Sequence, residues 1–251
     1  MKKISVIGMG VSPVTAESLA ELVCNWVKSA NFGRYVVFAN AHVLVTGNQA
    51  PDFSKVLEAA DIVAPDGFPV AWMLRRLGSP NQSRVPGPDF MNLLFRRAEQ
   101  LGISVFFYGS HNSTLDKLKL NLCRSFPGLN ISGVYSPPFS AISSLENKKI
   151  IDHINSLGPG IIFVGLGCPK QEYWMFNNAN KLNSVLLGVG AGFDFHAGTL
   201  RRAPEWMGRI GMEWIYRLVS EPKRLFFRYL VTNTVFVFKA AGQLFRRDSS
   251  H

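Results

Sequence analysis

Seven short apolar runs, separated by amphipathic stretches, constrain this chain more than any other feature. They are ISVIG (4–8), YVVFA (35–39), DIVA (61–64), ISVFFYG (103–109), ISGVY (131–135), IIFVGLG (161–167) and SVLLGVG (184–190). Between them the periodicity predicts helices over 15–30, 53–59, 89–101, 114–124, 143–157 and 171–181. Alternation of this kind predicts an α/β fold, a mainly parallel Rossmann-like sheet with helices on both faces. Ligands of such sheets bind outside the carboxyl ends of the strands. Asn40, Asp66, Gly109, Gly167 and Gly190 each close an apolar run, so they are expected around one rim.

Composition narrows the class. With 251 residues, 47% hydrophobic and only 18% charged, the chain can bury a sizeable core and is not a disordered one. Cys24, Cys123 and Cys168 form no CxxC and leave an odd thiol, which fits a reducing cytoplasm better than a disulfide scaffold. The histidines show neither zinc spacing nor HExxH. MKKISVIGMGVSP has two lysines and an apolar run, but the run stops at Gly10 and Pro13, so it reads as a first strand rather than a signal peptide. No apolar run approaches the ~20 residues that span a bilayer.

The turn VAPDGFPVAW (63–72) sets one carboxylate, Asp66, between Pro65 and Gly67 at a strand's end. Pro65 keeps Ala64 extended and Gly67 lets the chain turn at once, which aims Asp66 off the strand. A structural turn tolerates that arrangement as well as an active site does. GMG (8–10) follows a strand, but Pro13 stands where GxGxxG needs its third glycine. No acidic residue lies ~20 residues on, so a tight strand-to-helix turn is expected rather than a dinucleotide site.

IFVGLGCPKQEYWM (162–175) leaves a strand through Gly165 and Gly167 and starts a helix. Its backbone N–H groups and Lys170 would form an anion site; the alternative is an ordinary strand-helix turn. FFYGS (106–110) offers a second cradle at Gly109. In SRVPGPDF (83–90), Asp89 is expected to cap the next helix and Arg84 to clamp phosphate, for which a guanidinium is suited bidentately. GAGFDFHAGTLRRAP (190–204) gathers Asp194, His196, Arg201 and Arg202. Cys168, His42 and His196 have no partner in the pattern that would make them nucleophile or base.

The net charge is +10, and residues 201–251 hold ten Lys/Arg against four Asp/Glu. At ~100° per residue, Arg224, Arg228, Lys239 and Arg246 fall within about 60° of one another, beside a wide apolar face. That pattern suits a helix lying in a membrane interface, or one packing on the domain or on a second subunit. A boundary is expected near Thr199, giving an α/β domain over 1–199 and a basic amphipathic helical appendage over 200–251 that associates with membrane. Pro222 is expected to separate two helices.

In order, ANAHVLV, VAPDGFPVAW, RVPGPDF, FFYGS, VGLGCPKQE, GVGAGFDFHAGTLRRAPEWM and GMEWIYRLVSEPKRLFFRYL make the chain resemble the WecG/TagA/CpsF family of bacterial glycosyltransferases. The resemblance runs from the first strand to about Leu230. It implies transfer of a hexose, often N-acetylmannosamine, from a UDP-sugar to a polyprenyl-diphosphate-linked sugar. The anomeric centre is inverted, and the product is an intermediate of cell-surface polysaccharide synthesis. It implies Asp66 as general base, with Asn40, Arg84 and Gln171 at the donor and acceptor site. Arg217, Arg224 and Arg228 correspond to a tail that completes the active site. It further implies a cytoplasmic enzyme, peripheral on the inner face of the plasma membrane.

One position departs from the family pattern. Phe38 stands where members commonly carry Thr two residues before the Asn, so the donor sugar is more open than the reaction: UDP-glucose, UDP-glucuronate or GDP-mannose would suit the same chemistry. No DxD pair occurs in the sequence. Arginines and backbone N–H groups are therefore expected to carry the leaving-group charge, with no metal or other cofactor. A nicotinamide-dependent oxidoreductase and a membrane or nucleic-acid tether are the rival classes. The greasy tail speaks for membrane, not nucleic acid, and a homo-oligomer would also cover it.

Overall fold

The computed structural model describes residues 2–138, 142–209 and 211–248. The chain opens with β1 (Ile4–Val6), β2 (Met9–Val11) and α1 (Ala16–Lys28). β3 (Arg34–Ala39), α2 (Ala41–Gln49), α3 (Pro51–Ala59), β4 (Ile62–Pro65), α4 (Phe68–Arg76) and α5 (Gly87–Leu101) follow. The middle holds β5 (Val105–Gly109), α6 (Asn112–Ser125), β6 (Ile131–Tyr135), α7 (Ser144–Leu157), β7 (Ile161–Gly165) and α8 (Lys170–Asn178). The last elements are β8 (Val185–Gly188), α9 (Gly192–His196), α10 (Glu205–Arg209), α11 (Glu213–Ser220) and α12 (Pro222–Asp248).

Six strands form one parallel sheet in the order β4-β3-β8-β7-β5-β6. Alternate strand residues feed opposite faces, as the two-residue pleat requires. Tyr35, Val37, Val63, Phe106, Tyr108, Ile162, Val164 and Leu186 enter one core, with α2, α3, α7, α8 and part of α12. Val36, Phe38, Ile62, Ala64, Val105, Phe107, Ile161, Phe163, Val185 and Leu187 enter the other, with α1, α5, α6 and α9. Both faces are covered, so the strands read as unbroken apolar runs.

The first strand differs from expectation. β1 pairs antiparallel with β2 in a separate hairpin and does not join the large sheet. Its turn places Ile7 at φ 47° and Gly8 at φ 86°, two positive values that a tight hairpin turn needs. Ile7 tolerates this because both its backbone groups are captured. Its N–H donates to Gln243 Oε1 at 2.7 Å, and its carbonyl accepts from Asn48 Nδ2 at 2.9 Å. GMG therefore spans this hairpin rather than a strand-to-helix turn.

Asp89 does not cap a helix either. α5 already starts at Gly87 behind Pro86, which leaves Asp89 in the first turn. Helices α2 and α4 escaped the sequence pattern. α2 is rich in β-branched and small residues, and α4 starts directly on the Pro/Gly turn. Pro222 does separate α11 from α12. α12 docks Phe236 and Ala240 into the first core, and Gln243 Nε2 donates to Ser5 O at 2.7 Å.

Candidate active site

The carboxyl ends of β3, β4, β7 and β8 open into one cleft of about 1990 Å³. α12, α11 and the loop after α9 wall its far side. Asp66 lies in it, one residue beyond β4. The turn is pinned by backbone bonds. Asp66 N–H donates to Ala39 O at 3.0 Å, and Val85 N–H donates to Pro65 O at 2.7 Å. Gly67 takes φ 91°, a conformation other residues rarely adopt, and so starts α4 at once.

Among the described residues, no donor is hydrogen-bonded to the Asp66 carboxylate. Removal from water is the largest effect on it, and repulsion from Glu213 adds to this; Arg217 and then Arg84 offset part. The result is a carboxyl pushed up to about 7, where a proton acceptor is most useful at neutral pH.

The cations around it are held by neighbours. Arg84 Nη1 meets Glu213 Oε2 at 2.6 Å, which ties the loop before α5 to α11. Arg202 pairs with Asp89. The guanidinium carbons of Arg202 and Arg217 lie 5.7 and 5.8 Å from the Phe195 ring, so one ring supports two cations. Arg217 also approaches Glu221 at 3.5 Å. The Nε atoms of Arg217 and Arg228 are buried and lack a hydrogen-bond acceptor. Buried N–H donors are nearly always paired in folded proteins. Both residues line the same cleft, where an anion could satisfy the two donors.

Asn40 caps α2, its Oδ1 accepting from Val43 N–H at 3.2 Å, which leaves its NH2 for the cleft. Gln171 is committed to the protein. Its Oε1 accepts from Gly167 N–H at 3.1 Å, and its Nε2 donates to Gly188 O at 3.0 Å and Glu172 Oε1 at 2.9 Å. It thus staples the ends of β7 and β8. Burial pushes the Glu172 carboxyl up to about 7 and, with Glu172 beside it, pushes the Cys168 thiol up as well, which disfavours its thiolate. Burial, then Arg228, lower His42 to about 4.

A family model described as "Glycosyl transferase WecG/TagA/CpsF family" matches residues 4–250. The chain belongs to the WecG/TagA/CpsF glycosyltransferase family. A Bacillus spizizenii protein is 33% identical over 195 residues, covering 77% of this chain and 74% of that one. A Bacillus subtilis protein is 30% identical, covering 76% and 73%. A Staphylococcus aureus protein is 27% identical over 241 residues, covering 95% and 92%. All three are named N-acetylglucosaminyldiphosphoundecaprenol N-acetyl-beta-D-mannosaminyltransferase.

In this WecG/TagA/CpsF chain the cleft gathers Asp66, Arg217, Asn40, Arg84, Gly167, Lys170, Gln171, Asp194, Arg202 and Arg228. Gly109 is not among the lining residues. A Cβ there would stand 2.7 Å from the Gly165 backbone, so this glycine permits the close approach of β5 and β7, and Ser110 beside it reaches the cleft. α12 carries Arg224, whose side chain lies outside the described residues. Asp194 stands in the cleft wall and holds the following loop, its carbonyl accepting from Thr199 and Leu200 N–H. Sequence reasoning missed Glu213 and Phe195. Glu213 sits four residues before Arg217 on α11, a spacing that was readable, but its partner Arg84 is remote in the chain. His196 meets Pro88 O at 3.1 Å through Nε2 and is not among the residues lining the cleft.

Proposed function

We propose that this glycosyltransferase moves N-acetylmannosamine from UDP to a polyprenyl-diphosphate-linked N-acetylglucosamine, with inversion. The observation that carries the reading is Asp66, a half-buried carboxyl near neutrality, flanked by Arg84 and Arg217. Asp66 takes the proton of the acceptor hydroxyl. The hydroxyl oxygen forms the new bond to the anomeric carbon as the bond from that carbon to the diphosphate oxygen breaks. The electron pair leaves with UDP, and Arg84, Arg217 and Arg228 hold the charge it carries away. Asn40, Lys170, Asp194 and Arg202 contact the two substrates from the rim. Gln171 shapes that rim through its bonds to Gly167 and Gly188.

The relatives' shared name supports the donor sugar and the acceptor. Phe38 qualifies the donor: it is buried, packs on Phe90 with ring centroids 5.2 Å apart, and touches the cleft. A hydroxyl in that place would bond a sugar, and a ring cannot.

Residues 200–251 act as the membrane-facing appendage of the 1–199 catalytic domain. Phe226, Phe227, Leu230, Val231 and Phe238 of α12 are all at least half exposed, an apolar surface on a helix that also carries basic side chains. No described helix is long and apolar enough to cross a membrane. The appendage rests on the inner leaflet, where the lipid-linked acceptor lies, and the same surface would pair in a homo-oligomer off the membrane.

The test is a panel of UDP- and GDP-sugars with a short-chain polyprenyl-diphosphate N-acetylglucosamine, read by mass spectrometry for the added sugar and by NMR for its anomeric configuration. The expected product gains one N-acetylhexosamine, and its linkage is opposite in configuration to the donor. A nucleotide-sugar panel giving no product at all rejects the reading.

A further inference from the structure

The cleft has two chemically different ends. Its polar end holds Asp66 and the arginines. Its other arm is lined by Trp72 of α4 and by Val237, Ala241 and Leu244 of α12. Both helices start at the polar end, since α4 follows Asp66 directly and α12 brings Arg228 into the cleft. Both finish together, because Arg247 Nη1 donates to Arg76 O at 2.7 Å. The arm is therefore a groove leading away from the catalytic carboxylate along two helices.

On α12, Arg228, Thr232, Phe236, Ala240 and Leu244 reach the cleft four residues apart, Phe236 and Ala240 with only an edge since both also pack in the first core, and Val237 and Ala241 line it beside them. Residues four apart share one helix face. The stripe covers roughly 24 Å at 1.5 Å per residue. It starts with a cation and turns apolar within a few turns. Thr232 turns its hydroxyl back to Arg228 O at 2.7 Å, and Asn233 beside it is the last polar lining residue of α12.

We infer that this groove binds the first isoprene units of the acceptor's lipid chain, with the head group entering at the polar end and the hydrocarbon running toward Leu244. The inference rests on the reading of the acceptor as a polyprenyl diphosphate. The acceptor's reacting hydroxyl must reach Asp66, which fixes the head, and continuity of the apolar lining with that cleft fixes the direction. A peptide occupant would bury backbone N–H and C=O groups that a hydrocarbon wall cannot satisfy, whereas an isoprenoid has none. Chain-length selection is therefore built into the enzyme and does not depend on the membrane.

The experiment uses acceptors with one diphosphate-N-acetylglucosamine head and butyl, geranyl or farnesyl tails, below their aggregation concentration and without vesicles or detergent. For the wild-type chain, kcat/KM is expected to rise at least roughly tenfold from butyl to farnesyl, as apolar surface is buried. Ala241→Trp fills the groove from α12, and Trp72→Ser alters the opposite wall. Each is expected to collapse that ratio toward one, with thermal unfolding showing that the variant is folded. Equal kcat/KM for all tails in the wild-type chain, or variants that slow every acceptor by a common factor, would overturn the inference while leaving the transfer reaction intact. Absence of turnover with every acceptor and donor would instead strike the function itself, and the groove's role with it.

Discussion

Glu213 Oε2 lies 2.6 Å from Arg84 Nη1, and this pair joins α11 to the loop that precedes α5. The same carboxylate repels Asp66 and helps to raise its pKa. A residue of the C-terminal segment thus adds to the effect of burial on a carboxyl at the end of β4. Glu213→Gln removes that repulsion but keeps side-chain size. The acidic limb of the kcat/KM profile is expected to move to lower pH by roughly one unit or less, because water still screens a partly exposed pair. An unmoved limb, measured at saturating acceptor, would separate Glu213 from the base.

Arg217 and Arg228 each bury an Nε without an acceptor. Alanine at either site is expected to lower kcat by roughly 10²–10³-fold, the usual cost of one fixed donor to developing charge. Lysine should recover only part, since an ammonium cannot reproduce the guanidinium fork. Steady-state kinetics with donor and acceptor varied separately checks both.

Asp66 gives stability a definite pH slope. Its carboxyl is raised from 3.8 to about 7, so the folded chain holds a proton that the unfolded chain has released between those values. The stabilising contribution is complete below the unfolded pKa and is lost as pH rises through about 7. Asp66→Asn removes the penalty. Urea unfolding should find the variant more stable at pH 8 by on the order of 1–3 kcal/mol, with the gap closing toward pH 4. Glu172, raised in the same direction, is present in both proteins and cancels from the difference.

The sheet was legible because parallel strands buried on both faces are apolar throughout, and each of β3 to β8 falls on such a run. β1 was not distinguishable from them: three residues and a Gly turn look the same whether a strand enters the sheet or folds back on β2. Asp66 stood out through Pro65 and Gly67, a local signal. Arg84–Glu213 and Arg202–Asp89 did not, since each joins residues far apart in the chain. Gly109 misled for another reason, because glycine at a strand end serves close backbone approach as readily as it serves a ligand.

The fixed cations also bear on metal dependence. With Arg84, Arg217 and Arg228 serving the diphosphate, transfer is expected to keep its rate in EDTA. A loss that added magnesium restores would mean that these arginines do not suffice.

The most direct test of Asp66 as the general base is the pH-rate profile of transfer, measured side by side for the wild-type chain and Asp66→Asn. The wild type should lose kcat/KM as pH falls through about 7. Asp66→Asn should bind UDP but turn over roughly 10²–10⁴-fold more slowly at every pH, with that limb gone. Full activity in Asp66→Asn, or the same acidic limb in both proteins, would contradict it.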